Sequence, residues 1–186
     1  MRRLKNNNLG YTLIEMVTVG LILVIISGVI AAILASTLRG TNKSKVTSAV
    51  SQNGNYALSV VSNMFISTNF VLSVGGENSV DCTQNPSGES IVLSRVDGGV
   101  TTLFCDLQSD PPTISSNGAS LLDTSVVQLD DSKTCHFSCL QNGNSYSSPL
   151  LEVGFSLKQK GLSIFSDTSS SQDFTTQVLL RNFTQE

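Results

Sequence analysis

The spacing of hydrophobic residues divides the chain into three parts, of which the first is the most uniform. Residues 16–38 form a run of 23 positions without a charged side chain. As a helix rising about 1.5 Å per residue, this run would measure roughly 35 Å, enough to cross the hydrocarbon core of a bilayer, which is about 30 Å thick. The first part therefore predicts one membrane-spanning helix.

In the second part, beyond Arg39, apolar side chains recur at intervals of three and four residues. This spacing indicates that the helix continues as an amphipathic segment through residue 68 and packs on a sheet. The apolar stripe consists of Val46, Val50, Ala57, Val60, Val61, Met64 and Phe65. Gly40 and Gly54 are expected to be its weak points, because glycine lowers helix stability.

The third part, beyond Phe70, has the pattern of β-strands. Two short β-prone runs, residues 89–96 and 100–105, flank Asp97-Gly98-Gly99, and Asp-Gly between such runs predicts a hairpin. Further strands are predicted at residues 125–129, 134–140, 150–158, 161–165 and 174–181. One long helix followed by strands is an α+β arrangement, in which the N-terminal helix packs on an antiparallel sheet.

Charge is unevenly distributed along the chain, whose net charge is -3 with 13% charged residues. Arg2, Arg3 and Lys5 make the start basic, whereas the rest holds eight basic and fourteen acidic side chains. We predict no specific nucleic-acid partner, because such binding needs a surface rich in Lys and Arg. A short basic N-terminal flank normally stays in the cytoplasm, which would place residues 39–186 outside.

A carboxylate stands at the start of the apolar run, where it needs an explanation. Glu15 would cost about 2.5–3.5 kcal/mol inside a membrane, and such groups usually have a partner. It closes the sequence Gly10-Tyr11-Thr12-Leu13-Ile14-Glu15, which follows a short basic segment. This junction resembles the processing site of type IV prepilins. In that family a basic leader ends in Gly, and a dedicated peptidase cuts before an aromatic residue that is then N-methylated. A Glu stands fifth in the mature chain.

The match to the family holds position by position, with two departures. Tyr11 stands in place of the usual Phe, and the Pro that is frequent in the apolar stretch is absent. The resemblance implies cleavage between Gly10 and Tyr11, with Tyr11 N-methylated. It also implies that Glu15 meets the N-terminal amine of a neighbouring subunit and sets the axial register of a filament.

The resemblance further implies a division of the chain into four segments with a pilin-like fold. Residues 1–10 would be the leader peptide and residues 11–38 the transmembrane, later filament-core, half of the helix. Residues 39–68 would be its amphipathic half, and residues 69–186 a β-rich extracytoplasmic head. The implied partners are other pilin subunits, the prepilin peptidase, an inner-membrane assembly platform and, before assembly, the lipid bilayer.

The function implied is that of a structural subunit of a type IV pilus-like filament at the cell surface, which serves adhesion, motility or DNA uptake. The final residues 174–182 have the character of minor pilins. One alternative is a pseudopilin of a type II secretion system, which uses the same leader and helix. Another is a signal-anchored exported binding protein. A cleaved secretory signal fits less well, because its apolar core spans only about 7–15 residues.

Four cysteines lie in the second half of the chain, and an exported domain favours two disulfides between them. A straight strand over residues 135–139 would separate the Cα atoms of Cys135 and Cys139 by about 13 Å, too far for a disulfide. Both thiols would then pair with Cys82 and Cys105. A turn would instead allow Cys135–Cys139, with Cys82–Cys105 clamping the first hairpin. We favour this second pairing, and the connectivity stays open.

Few side chains offer catalytic or metal chemistry. His136 is the single histidine; its neighbouring thiols lack the spacing typical of zinc sites, and no nucleophile-elbow motif occurs. Three acidic residues that could hold calcium are instead expected to be solvated loop carboxylates: Asp123, Asp130 and Asp131. We predict no enzymatic activity, no cofactor and no metal.

Overall fold

A computed structural model describes residues 10–78, 81–142, 147–160 and 171–181. Over these residues one α-helix, α1 (Leu13–Ile66), is followed by strands that pair in antiparallel fashion. This confirms the predicted α+β class, with a long N-terminal helix packed on antiparallel sheets. The chain divides into two compact units, Met1–Ser44 and Lys45–Glu186.

In the first unit, α1 exposes every side chain through Ser44. The helix is long and apolar enough to span a membrane, with an 18-residue window of mean hydropathy 2.9. Hydroxyl groups in the apolar run bond to the helix backbone: Ser27 Oγ donates to the Leu23 carbonyl at 2.7 Å, and Thr37 Oγ1 to the Ile33 carbonyl at 2.9 Å. These bonds suit a segment surrounded by lipid, because a hydroxyl satisfied inside the helix needs no water.

In the second unit, one face of α1 is buried. The buried residues follow one another at intervals of three or four, as expected for one helical stripe: Val50, Gly54, Ala57, Val61 and Phe65. Four of these five residues belong to the apolar stripe predicted from the sequence, and only Gly54 does not. The stripe therefore identifies the face of α1 that packs into the head.

Gly54 allows the closest approach between α1 and the sheet. The Phe174 ring lies against the glycine, and a Cβ placed there would collide with three ring atoms. The helix also runs through Gly40 without a break. The two glycines predicted to be weak points therefore do not interrupt the helix, and the contact with Phe174 gives Gly54 a packing role that its low helix propensity does not indicate.

The larger sheet has the strand order β2-β1-β4-β5-β6-β7. Its strands are β1 (Thr68–Val74), β2 (Glu77–Asn78), β4 (Ser90–Arg95), β5 (Val100–Asp106), β6 (Thr113–Ser116) and β7 (Ala119–Ser120). β1 and β4 pair with two register irregularities. A side-chain hydrogen bond links this sheet to α1, from Ser116 Oγ to Met64 Sδ at 3.6 Å.

The second sheet has the order β11-β10-β9-β3, and β8 pairs with the far end of β10. Its strands are β3 (Ser87–Gly88), β8 (Val127–Leu129), β9 (His136–Leu140), β10 (Leu150–Gln159) and β11 (Gln172–Leu179). A short 3-10 turn, Cys82–Gln84, precedes β3. Leu93 of β4, Phe137 of β9 and Val61 of α1 are 0% exposed and belong to one hydrophobic core. Both sheets therefore share a core with the helix.

The hairpin predicted at Asp97-Gly98-Gly99 is confirmed. Ser94 pairs with Val100, and the Arg95 N–H donates to the Gly99 carbonyl at 2.8 Å. Gly98 has a φ of +81°, a conformation that glycine adopts without steric penalty. The Asp97 carboxylate accepts the Gly99 N–H at 3.0 Å, which closes the turn.

The other predicted strands are confirmed with shifted ends where they are described. Of the strand predicted at 125–129, only β8 forms. The residues before it belong to a turn, in which the N–H groups of Val126 and Val127 donate to the Asp123 carbonyl. The prediction at 161–165 lies outside the described residues. Strands that the sequence reading did not predict are β1, β2, β3, β6 and β7.

The contact at Gly54 gives a test of the packing between helix and sheet. Gly54→Ala should destabilise the head by about 1–3 kcal/mol, because overpacking outweighs the gain in helix propensity of roughly 1 kcal/mol. Thermal unfolding of the detergent-solubilised chain measures the change. Gly40→Ala is the matched control, since no atom lies within 4 Å of a Cβ at that position. An unchanged or raised melting temperature for Gly54→Ala would contradict the packing.

Candidate functional site

The sequence motif places the candidate site at the start of α1, where exposed residues precede the helix. Gly10 has no atom within 4 Å of where a Cβ would stand, and the Tyr11 side chain is 78% exposed. Gly10, Tyr11 and Thr12 all precede the first helical residue, Leu13. The peptide bond between Gly10 and Tyr11 therefore lies in an exposed segment outside the helix, where a peptidase can reach it.

Thr12 caps the helix by accepting hydrogen bonds from backbone N–H groups of the first turn, that of Glu15 among them. The Glu15 N–H lies 3.4 Å from Thr12 Oγ1 and 3.1 Å from the Thr12 carbonyl, and the Met16 N–H donates to that carbonyl at 3.3 Å. A threonine followed three positions later by Glu is the spacing of a capping box. Sequence reasoning missed this role, although the spacing Thr12-x-x-Glu15 was visible.

Glu15 therefore has a local reason to be present besides the one implied by the family resemblance. A carboxylate in the first turn is favoured by the helix dipole, whose N-terminal end is positive. The Thr18 hydroxyl donates to the Glu15 carbonyl at 2.9 Å and tightens the same turn. The observed cap needs only the backbone N–H of Glu15, whereas pairing with an amine needs the negative charge of its side chain. The two roles can thus be separated by substitution.

All four predicted cysteines form disulfides, but not in the favoured pairing. The bonds are Cys82–Cys139 and Cys105–Cys135. The favoured pairing of Cys82 with Cys105 and Cys135 with Cys139 was wrong. The alternative that a straight strand requires is the one observed.

The reason for the correction is the shape of the chain at residues 135–139. Cys135 and Cys139 lie on one side of an extended segment with Phe137 between them, and all three are buried. Side chains two apart in a strand share a face, so both thiols point into the core from the same face. They are too far apart along the strand to bond to each other. Cys105 belongs to β5, so its bond to Cys135 connects the two sheets.

His136 lies on the opposite, exposed face of the same strand. Its ring packs over Gly154, where a Cβ would stand 2.7 Å from Cε1. Glu152 Oε1 lies 3.9 Å from His136 Nε2, and Gln177 Nε2 donates to Glu152 Oε2 at 2.7 Å. His136 also borders an open depression of roughly 390 Å³. The histidine is thus one member of a chain of surface polar contacts across three strands.

Two of the predicted loop carboxylates share a lysine. Lys158 Nζ lies 3.4 Å from Asp130 Oδ1 and also pairs with Asp131. Burial acts to raise the pKa of Asp130, but hydrogen bonds from Ser171 and Ser132 and the charge of Lys158 outweigh it and lower the pKa to about 2. The hydrogen bond with Lys158 lowers the pKa of Asp131.

The third carboxylate, Asp123, belongs to a different turn. Its Oδ1 accepts the Ser125 N–H at 3.1 Å, and hydrogen bonds from the Ser125 hydroxyl and N–H lower its pKa. The Asp123 N–H donates to Asn53 Oδ1 at 3.0 Å, which ties this loop to α1. In the part of the chain that the structure describes, no three His, Cys, Asp or Glu residues are placed to hold a metal ion.

Comparisons of the chain with protein-family models, with curated proteins and with solved structures find no match.

The lowered pKa of Asp130 predicts a dependence of head stability on pH. Because this folded-state pKa, about 2, lies below the ordinary value of 3.8, the hydrogen bonds from Ser171 and Ser132 and the pairing with Lys158 stabilise the fold above pH 4, and this stabilisation is lost as the pH falls to 2. Asp130→Asn should lower the free energy of unfolding by on the order of 1 kcal/mol at pH 7, a figure discounted for partial solvent screening. It should also make the loss of stability between pH 4 and pH 2 less steep.

Denaturant unfolding at several pH values measures this effect. Glu89→Gln is the control for loss of a carboxylate, because Glu89 is exposed and forms no ion pair within the described residues. If the free energy of unfolding falls equally steeply between pH 4 and pH 2 in Asp130→Asn and in the unmodified chain, the result would contradict the stabilising role of the Asp130 carboxylate.

Proposed function

We propose that the chain is a structural subunit, of the minor class, of a type IV pilus-like filament. The observation that carries the proposal is the order Gly10, Tyr11, Glu15 and then 23 uncharged residues on one helix. In this proposal a prepilin peptidase cuts between Gly10 and Tyr11, and Tyr11 is N-methylated. The head lies outside the cytoplasm, and the exposed half of α1 moves from the bilayer into a filament core.

The charges at the N-terminus supply a physical reason for cleavage to precede assembly. Arg2, Arg3 and Lys5 add three positive charges before the cut. Moving a charge across a membrane against the potential requires about 2.3 kcal/mol per 100 mV, so these three require roughly 7 kcal/mol per 100 mV. After the cut, the new amine and Glu15 together carry no net charge. Removal of the leader thus releases the end of the helix from the cytoplasmic side.

The head supports an extracytoplasmic location in a different way. Two disulfides close a small domain, and such bonds persist in oxidising compartments rather than in the cytoplasm. Each should contribute about 2–4 kcal/mol to the stability of the head. A subunit that leaves the membrane for a surface filament meets such an environment throughout its functional life.

Assembly is proposed to depend on the charge of Glu15, which pairs with the amine of a neighbouring subunit. Both Glu15→Gln and Glu15→Ala keep the backbone N–H that the Thr12 cap uses. Glu15→Gln removes only the charge, whereas Glu15→Ala removes the charge and the rest of the side chain. Both variants should lower incorporation into extracellular filaments by at least about tenfold, because an unpaired buried charge costs roughly 3–5 kcal/mol. Thr12→Ala is the control: it loses the cap, keeps the charge, and should be incorporated normally.

Immunoblots of sheared surface filaments against membrane fractions measure incorporation. Normal incorporation of Glu15→Gln would contradict the charge pairing, and a defect in Thr12→Ala would assign incorporation to the helix cap instead. Deletion of the gene separates the pilus from the secretion-system alternative, since a pseudopilin would be required for protein secretion rather than for surface fibres.

A further inference from the structure

The charged side chains of the first unit are confined to the two ends of the apolar run. Within residues 10–44 they are Glu15 at one end and Arg39 and Lys43 at the other. Arg39 and Lys43 are both exposed and stand four positions apart, so they share one face of α1. The sequence contains no acidic residue from Met16 to Gly76. The outer end of the run is therefore locally positive.

The distance between the two charged ends matches a membrane. Arg39 follows Glu15 by 24 positions on a continuous helix. At about 1.5 Å per residue this separation is roughly 36 Å, compared with about 30 Å for the hydrocarbon core. Both ends can thus lie in the two interfacial layers at the same time, with only uncharged residues between them.

We propose that Arg39 and Lys43 bind the phosphate groups of anionic phospholipids in the outer leaflet and thereby fix the depth of α1 in the membrane. This proposal depends on the membrane-spanning part of the proposed function. Long basic side chains near a helix end reach the headgroup layer while their stems stay in apolar surroundings. Holding the outer end at this level keeps Glu15 at the cytoplasmic interface, where water solvates it. Glu15 then loses its hydration only when the subunit is extracted.

The partner favoured by these observations is lipid rather than the acidic head of a second copy. Arg39 directly follows Leu38, the last residue of the uncharged run, and Lys43 lies about one helical turn further, so both reach the headgroup layer whenever the run spans the bilayer. Attraction to anionic lipid contributes about fivefold in affinity per basic residue near the surface, from about 1 kcal/mol each. A second copy is a separate partner, which the experiment distinguishes.

The test is lipid selectivity of the full-length chain in detergent micelles, measured by native mass spectrometry. Phosphatidylglycerol and phosphatidylcholine with identical acyl chains compete for the protein. The unmodified chain should prefer phosphatidylglycerol, and Arg39→Gln with Lys43→Gln should reduce that preference about 25-fold, or about fivefold for each residue. Lys160→Gln with Arg181→Gln is the matched control, because it removes the same charge from two exposed positions of the head.

Equal binding of the two lipids by the unmodified chain would overturn the proposal, as would full retention of the preference in Arg39→Gln/Lys43→Gln. Dimers that dissociate in salt, without any lipid preference, would assign the two cations to a second copy instead. Circular dichroism and head melting temperature verify that each variant is folded. The measurement needs no assembly machinery, so normal filament incorporation without lipid preference would overturn this proposal and leave the proposed function intact.

Depth is tested separately in vesicles. A fluorescent residue substituted at Ala35, one turn before Arg39, is quenched by lipids brominated at defined positions along the acyl chain. Phosphatidylglycerol should hold the probe of the otherwise unmodified chain at one depth near the outer interface, and Arg39→Gln/Lys43→Gln should abolish this lipid dependence. If the probe lies at the same depth with and without anionic lipid, in the otherwise unmodified chain and in the Arg39→Gln/Lys43→Gln chain alike, the two cations do not fix the depth of α1.

Discussion

Burial of one face of α1 in the head is the interaction on which the rest of the domain depends. The stripe from Val50 to Phe65 lies in the core shared by both sheets, and Gly54 lets the Phe174 ring of β11 approach the helix backbone. Ser116 and Asp123 add polar links from the larger sheet and its following loop. Without this helix face, the two sheets would lose four side chains of their shared core, Val50, Ala57, Val61 and Phe65. The Cys105–Cys135 bond then joins the sheets covalently.

The same helix has two chemically distinct halves, and this division accounts for the proposed function. In the first unit α1 buries none of its side chains, although its residues are apolar. Such a surface requires lipid or other copies of itself. In the second unit α1 is an ordinary amphipathic core helix. Charge marks where the apolar run begins and ends: Glu15 on one side, Arg39 and Lys43 on the other. A subunit that is first anchored and later assembled needs both halves.

Features set by local chemistry could be predicted from the sequence. The long helix followed from its apolar periodicity, and the β4–β5 hairpin followed from Asp97-Gly98, whose geometry depends on few neighbours. The disulfide pairing could not be predicted in the same way, because it depends on which strands lie side by side. The alternation of buried Cys135, Phe137 and Cys139 was nevertheless a signal for the straight strand. β1 was missed because its pairing contains irregularities that disturb a period of two. The Thr12 cap was missed because the family resemblance already supplied a role for Glu15.

We propose that the chain is cut between Gly10 and Tyr11 and that its first half then serves as an assembly element. Intact-mass and N-terminal peptide mass spectrometry of the protein purified from its native membrane tests this proposal. A mature chain that begins at N-methylated Tyr11 is the expected result. A chain that still begins at Met1, or one cut near Ser36 as by a secretory signal peptidase, would contradict it.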